Sequence, residues 1–349
     1  MSLDEFLEEW NNPSPYVRVQ TSGSTGAPKP MLVEKARMLA SARRTNDFLG
    51  LKPGDTALLC MSLDYIAGKM MVVRALERGL RLVCVEPSGH PLRHNGDWHQ
   101  CAISNGTVRA CPQCVALNDQ TSLSFAAMVP LQVYNSLQVP EEKERLKQIR
   151  HLIIGGGAID DALASELKTF PNAVWSTYGM TETLSHIALR RLSGPEASDW
   201  YTPFPSVSLS LSDEGTLIIN APEVCSEPLV TNDIAELSSL HSQSFRILGR
   251  RDNIICSGGL KIQAEQLERQ LRPYLSSPFL ITKRSDEKFG EIVVLLTEGS
   301  TDDARQLCER ILPRFHQPRV YLHVARIPLT ETGKPSRHEA ERLARENLS

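Results

Sequence analysis

From residue 56 onward, short apolar runs alternate with amphipathic stretches, and this restricts the chain to a layered α/β fold with a largely parallel sheet. Residues 56–61 (TALLCM) follow the turn Lys52-Pro53-Gly54-Asp55 and read as a buried strand. Residues 66–78 read as a helix and 80–86 (LRLVCVE) as the next strand. The pattern returns at 151–154 (HLII), which runs into the tight turn Gly155-Gly156-Gly157. Asp160 and Asp161 suit the start of a helix over 161–169, and 173–177 (AVWST) is a further strand. A strand at 16–20 (YVRVQ), a helix at 34–49 and a charged helix at 141–149 complete this part. The segment 88–120, rich in Gly, His, Cys, Asn and Pro, breaks the pattern and reads as an irregular loop.

Beyond about residue 200 the chain turns β-rich, with short strands at 207–211, 215–220 and 245–249. From about 253 it has its own small α/β pattern: a helix near 264–273, strands at 279–283, 291–297 and 320–326, and a helix at 302–312. A boundary near Arg251–Asn253 gives expected domains 1–251 and 252–349.

Composition removes several function classes. The 349 residues carry a net charge of −3 and no run of Lys or Arg, which argues against a nucleic-acid binder working by bulk electrostatics. Met1–Trp10 holds Asp4, Glu5, Glu8 and Glu9, the opposite of a secretory leader, and no apolar stretch is long enough to span a bilayer. A cytoplasmic protein without membrane insertion is expected. The eight Cys are scattered and read as reduced thiols. Cys111-Pro-Gln-Cys114 has the spacing of half a zinc site, but only one such pair is present.

Chemistry-bearing segments punctuate this frame. Thr21-Ser22-Gly23-Ser24-Thr25-Gly26-Ala27-Pro28-Lys29-Pro30 sets four hydroxyls and two glycines in six positions beside a cation. Glycine lets backbone N–H groups approach an anion, and Ser/Thr add donors. It is not a Walker A loop, because Ala27 and Pro28 separate Gly26 from Lys29. Tyr178-Gly179-Met180-Thr181-Glu182 follows a strand, at the end where open α/β sheets bind ligands. Glu182 suits Mg²⁺ and Thr181 a phosphate, although both also suit an ordinary helix start. Thr231-Asn232-Asp233 reads as a turn whose carboxylate could accept ribose hydroxyls. Residues 248–268 run from a basic pair through Ser257-Gly258-Gly259 into a helix, and 330–337 read TETGKPSR, with Lys334 either catalytic or a solvated surface side chain.

Together, in this order and over nearly the whole chain, these segments resemble the ANL superfamily of acyl-CoA synthetases, adenylation domains and luciferases. The resemblance implies a large layered N-terminal domain and a small mobile α+β C-terminal domain. It implies acid–thiol ligation through an acyl-adenylate, with ATP, Mg²⁺ and CoA as partners of a small carboxylic acid. By this likeness Thr21–Lys29 is the phosphate loop and Gly155, Gly156 and Gly157 lie along adenine. Tyr178, followed by Gly179, stacks on the base, Thr181 contacts phosphate and Glu182 holds Mg²⁺. Asp233 and Arg250 hold the ribose, Asp252 is the hinge, Lys334 bridges carboxylate and ATP, and Ser257, Gly258 and Gly259 border the CoA channel.

Pro30 and Asn232 stand where the family usually has Gly, and only 20 residues precede the loop, which implies a reduced N-terminal domain. Within the family the chain is similar to the o-succinylbenzoate–CoA ligases of menaquinone synthesis. That likeness places Tyr65 beside the acyl pocket and makes Lys69 and Arg74 candidates for holding the second carboxylate of the acid. Another aryl- or acyl-CoA ligase, or a non-catalytic nucleotide binder, stays open as an alternative.

Overall fold

A computed structural model describes residues 1–20, 30–93, 99–104, 107–109, 122–239, 243–330 and 335–346. The chain opens with helix α1 (Leu3–Asn11), started by a capping box in which Ser2 and Glu5 satisfy each other's backbone N–H groups. Strands β1 (Tyr16–Gln20) and β2 (Pro30–Glu34) pair antiparallel on either side of residues 21–29. Helix α2 (Lys35–Phe48), strand β3 (Thr56–Leu59), helix α3 (Ile66–Arg78) and strand β4 (Arg81–Cys84) follow. Next come β5 (His99–Ser104), β6 (Thr107–Arg109), β7 (Phe125–Met128), α4 (Pro130–Leu137), α5 (Pro140–Gln148), β8 (His151–Ile154), α6 (Asp161–Leu167), β9 (Ala173–Gly179), β10 (His186–Arg191) and β11 (Thr202–Pro203).

Among the described residues, these strands form a nine-stranded sheet in the order β11-β10-β9-β8-β7-β3-β4-β5-β6. Strands β9, β8, β7, β3 and β4 are parallel, and the flanking strands are antiparallel. Both faces are buried, which is why 56–61 reads as an apolar run and β7 (FAAM) is apolar throughout. Side chains alternate between two cores. Ala57, Leu59, Phe125, Ala127 and Ile153 meet α1–α3 on one face, while Leu58, Cys60, Ala126, Met128, Leu152 and Ile154 meet α4–α6 on the other. Helix α3 occupies the span its apolar spacing predicts and stops at Gly79 in the left-handed conformation, whose N–H returns to the Ala75 carbonyl. Strands β5 and β6 lie inside the segment read as an irregular loop, and β5 extends the sheet from β4.

A second, four-stranded antiparallel sheet contains β12 (Ser208–Leu211), β13 (Thr216–Asn220), β14 (Leu229–Leu237) and β15 (Phe245–Arg250). Here the turn read at Thr231-Asn232-Asp233 is corrected: all three residues lie inside β14, and Asp233 faces Arg250 on β15. That cross-strand pair of opposite charge overrides the turn preference of Asn-Asp.

A single 3₁₀ turn at Arg251–Asn253 leads into the C-terminal domain. Its elements are β16 (Ile254–Ser257), β17 (Leu260–Gln263), α7 (Ala264–Leu271), β18 (Phe279–Asp286), β19 (Gly290–Thr297), α8 (Thr301–Ile311), β20 (Val320–His323) and α9 (Arg337–Glu346). The sheet order is β17-β16-β19-β18, with β20 parallel to β19. Val293 and Leu295 of β19 pack under α7 and α8, and Ile292, Val294 and Leu296 pack under α9. Among the described residues no helix is long and apolar enough to cross a membrane. Cys60, Cys84, Cys225, Cys256 and Cys308 are free thiols, of which Cys60 and Cys308 are buried and Cys256 is exposed.

The sequence reading assigned no element to Leu3–Asn11, yet α1 supplies Phe6 and Leu7 to the main core. Phe6→Ala should destabilise the protein by about 3–5 kcal/mol. The midpoint of urea unfolding checks this; a shift equivalent to under about 1 kcal/mol would mean that α1 is dispensable to the core.

Candidate functional site

The chain order reverses around β3, whose neighbours are β4 on one side and β7 on the other, and a crevice is expected outside the carboxyl ends of such strands. The register aligns Met128 with Ile154 and Ile154 with Ser176, so the ends of β7, β8 and β9 share one edge. Gly155, Gly156 and Gly157 leave β8 at that edge, and the Gly155 N–H donates to the Met128 carbonyl at 3.0 Å. Gly155 abuts β9: a β-carbon there would lie 2.3 Å from Thr177 Oγ1.

Tyr178 follows Thr177 near the end of β9 and links the two sheets. Its hydroxyl donates to Asp233 Oδ2 at 2.7 Å, and Arg250 Nη1 donates to Asp233 Oδ1 at 3.3 Å. Arg250 Nη2 continues to Asp252 Oδ2 at 3.2 Å, and Asn232 Nδ2 reaches the same oxygen at 3.1 Å. One connected set therefore joins the residues that the resemblance assigns to base, ribose and hinge. The Tyr178 ring packs edge-on against Phe245, centroids 5.1 Å apart. Burial, and then the adjacent Asp233 carboxylate, hold the Tyr178 phenol well above its ordinary range, so it stays a donor.

Beyond Gly179 the chain makes a single 3₁₀ turn over Thr181–Thr183 in place of the expected helix start. The turn packs tightly: a β-carbon on Gly179 would lie 2.2 Å from the Ser185 carbonyl oxygen. Thr183 Oγ1 accepts from the Met180 N–H at 2.9 Å. Leu184 adopts φ +63° while almost fully buried, a strained backbone held by its surroundings. Thr181 is buried, and Glu182 points outward with its carbonyl accepting from Cys225 Sγ at 3.2 Å.

The three residues assigned to the acid diverge. Tyr65 caps the start of α3. Lys69 is buried, but its ammonium donates to the Arg18 carbonyl at 2.7 Å and lies 3.4 Å from Glu9 Oε2. It ties α1 and β1 to α3, which accounts for its burial without an acid. Arg74 turns instead towards the motif: its Nη2 donates to Ser185 Oγ at 2.6 Å. Its side chain is fully buried, its Nε has no hydrogen-bond partner, and no carboxylate lies within ion-pair distance among the described residues. Burial pushes this guanidinium down to about 10. Sequence reasoning missed Ser185, which meets Arg74, and His186, which feels the charges of Arg74 and Arg44; the only available signal was a His opening an apolar run at 186–189.

In the C-terminal domain, Ser257, Gly258, Gly259 and Leu260 form a two-residue hairpin with both glycines at positive φ (+57° and +86°), as a type I′ turn requires. Gly258 N–H donates to the Phe289 carbonyl at 2.9 Å. Arg272, just beyond α7, donates to Asp160 Oδ2 at 3.1 Å, joining this domain to the cap of α6 beside the glycine turn. Thr21, Ser22, Gly23, Ser24, Thr25, Gly26, Lys29 and Lys334 lie outside the described residues, as does the Cys111–Cys114 pair. The chain resumes at Pro335, bridged to Leu329, and Arg337 pairs with the buried Glu268, its Nη1 and Nη2 each 2.8 Å from a carboxylate oxygen.

Layered parallel sheet, antiparallel second sheet and small α+β C-terminal domain together make up the ANL fold. The chain belongs to the AMP-binding enzyme family, whose model matches residues 6–224, and by class it is an AMP-forming acyl-CoA synthetase. A 2-succinylbenzoate–CoA ligase of Bacillus cereus is 23% identical over 373 aligned positions, covering 97% of this chain and 72% of the relative. An acyl-CoA synthetase (AMP-forming)/AMP-acid ligase II-like protein from Dyadobacter fermentans is 30% identical, with a TM-score of 0.61 over 96% of this chain and 91% of that one. The o-succinylbenzoate coenzyme A synthetase MenE from Bacillus subtilis, solved with ATP and magnesium, is 19% identical, with a TM-score of 0.72 over 92% of this chain and 69% of that one.

The raised Tyr178 phenol has a stability consequence. Above pH 10 an unfolded tyrosine loses its proton while Tyr178 keeps it, so the folded state binds more protons and stability falls as pH rises. Tyr178→Phe removes this loss. The stability advantage of wild type over the variant should shrink by about 1.4 kcal/mol per pH unit above about pH 10, read from urea midpoints. A constant difference would show that Tyr178 ionises normally.

Proposed function

We propose that the protein joins o-succinylbenzoate to coenzyme A through an acyl-adenylate. In the first half-reaction an acid carboxylate oxygen attacks the α-phosphorus of ATP and pyrophosphate leaves. In the second the CoA thiol attacks the acyl carbonyl and AMP leaves. The observation that carries the choice of a dicarboxylic acid is Arg74, a buried guanidinium with an unused N–H and no carboxylate partner among the described residues. A charged group buried in this way is stabilised when an anion completes its hydrogen bonds. The named activity of the Bacillus relatives supports the same acid.

In this reading Gly155–Gly157 and Tyr178 hold the adenine, and Asp233 and Arg250 hold the ribose. Asp233 already accepts from both Tyr178 and Arg250, so it is oriented before nucleotide arrives. Thr21–Lys29 and Thr181 contact the phosphates. Glu182 is exposed, and among the described residues it has no ion pair, which suits the single carboxylate that Mg²⁺ commonly takes beside phosphate oxygens. A bound Mg²⁺ would neutralise the triphosphate charge. Lys334 stabilises the charge that builds between the acid and the α-phosphate. Between the half-reactions the C-terminal domain turns about Asp252, withdrawing Lys334 and bringing Ser257–Gly259 to the thiol path. Tyr65, at the start of α3, borders the acyl pocket.

Purified protein with ATP and Mg²⁺ should release pyrophosphate with o-succinylbenzoate and not with benzoate or fatty acids. Turnover of those monoacids at comparable rates would overturn the choice of acid. Arg74→Leu should raise KM for the diacid about 10–100-fold with the KM for ATP unchanged; an unchanged KM for the diacid would remove Arg74 from acid recognition. Lys334→Ala should slow adenylate formation about 10²–10³-fold while CoA capture of preformed adenylate changes little. Equal loss in both steps would refute its role.

A further inference from the structure

The surroundings of Arg74 contain a polar chain that no assigned role uses. It begins on α2, where Thr45 Oγ1 donates to the Ser41 carbonyl at 3.2 Å. His186 Nε2 lies 3.1 Å from the same Thr45 oxygen, and His186 Nδ1 lies 3.3 Å from Ser185 Oγ. Ser185 Oγ in turn receives Arg74 Nη2 at 2.6 Å. Ser41, Thr45, His186 and Arg74 are buried, whereas Ser185 is half-buried.

Donor and acceptor capacity fix the direction of this chain. A carbonyl oxygen only accepts, so both Thr45 contacts are made together only when the single hydroxyl proton of Thr45 goes to Ser41. Thr45 Oγ1 must then accept at its other contact, which makes His186 Nε2 the protonated nitrogen. His186 Nδ1 is left as a bare acceptor, and it takes the hydroxyl proton of Ser185. With its proton so used, Ser185 Oγ presents lone pairs to Arg74. The ring is held neutral by burial, followed by the positive charges of Arg74 and Arg44, which lower His186 well below its ordinary range. Protonation would make Nδ1 a donor to Ser185 Oγ, leave the Ser185 hydroxyl proton without an acceptor in this chain and set a second positive charge beside the guanidinium.

We propose that His186, locked as the neutral Nε2–H tautomer by Thr45, is a specificity-determining positioning residue that holds Arg74 through Ser185 in the orientation that receives the remote carboxylate of the acid. The role rests on the reading of Arg74 given above; the tautomer does not. Fixing Arg74 from behind leaves its unpartnered Nε–H for the ligand and removes the rotamer entropy that a free arginine loses on binding. Loss of the chain therefore weakens binding of the diacid and leaves the phosphorus chemistry intact.

The tautomer is tested first, on the whole ligand-free protein, by ¹⁵N NMR of labelled histidine across pH 6–8, with His186→Asn identifying the signal. A neutral ring protonated at Nε2 is expected; an Nδ1–H tautomer or an imidazolium would overturn the proposal. Kinetics then test the role. Ser185→Ala and His186→Leu should each raise KM for o-succinylbenzoate about tenfold, with kcat and the KM for ATP within about twofold. The double variant should lose no more than the worse single one, because both break the same chain. His186→Asn, whose side-chain carbonyl can accept in place of Nδ1, should recover most of the loss. Unchanged KM in the single variants, or full additivity in the double, would refute the positioning role. Should His186→Leu fold poorly by thermal melt, Ser185→Ala against His186→Asn decides alone. If wild type does not discriminate diacid from monoacid, the Arg74 reading and the positioning role built on it fail together, while the tautomer result still stands or falls on the NMR.

Discussion

The hydrogen bond from the Tyr178 hydroxyl to Asp233 is the join on which the rest of the site depends. Tyr178 ends a strand of the large parallel sheet, and Asp233 sits in the middle of a strand of the smaller antiparallel one. The same carboxylate takes Arg250, and Arg250 reaches the turn from which the C-terminal domain departs. A single short chain of polar contacts thus fixes Tyr178, Asp233, Arg250 and Asp252 relative to one another. Its buried phenol and partly buried acid are mutually satisfied, so the arrangement costs little to hold in advance of a ligand.

The turn after Tyr178 shows where stability is spent on geometry. Leu184 takes a positive φ outside the common regions, which costs a leucine about 1–3 kcal/mol. The close approach of Ser185 to Gly179 is open only to glycine. These two features set Glu182 outward and bring Ser185 back over Arg74. The buried guanidinium is a second cost, since a cation without a partner anion is disfavoured away from water. Both departures from local preference fall within a few residues of each other, as expected where function rather than folding sets the requirement.

How much of this is legible in the sequence differs by element. Strands β3 and β8 are plain because a strand buried on both faces is an unbroken apolar run, and α3 because Gly79 stops it where its spacing ends. Strand β14 is not, because Thr-Asn-Asp has the composition of a turn and only the facing Arg250 shows it to be a strand. Helix α1 is hidden by its acidic residues, although Ser2 and Glu5 form a capping box. Lys69 and Arg74 look alike in sequence, but five residues along a helix place them about 140° apart. One meets Glu9, 60 positions away, and the other meets Ser185, 111 positions away. Partners at such distances cannot be read from spacing, and the directional chain through His186 is illegible for the same reason: it is assembled from α2, α3, β10 and the turn before β10.

The central claim is that this site makes a mixed anhydride between a dicarboxylic acid and AMP. Mass spectrometry of the protein mixed with ATP, Mg²⁺ and o-succinylbenzoate in the absence of CoA tests it most directly. The account predicts accumulation of the o-succinylbenzoyl-adenylate with matching pyrophosphate, consumed when CoA is added. ATP left intact, or cleaved to ADP and phosphate with no acyl-adenylate formed, would contradict it.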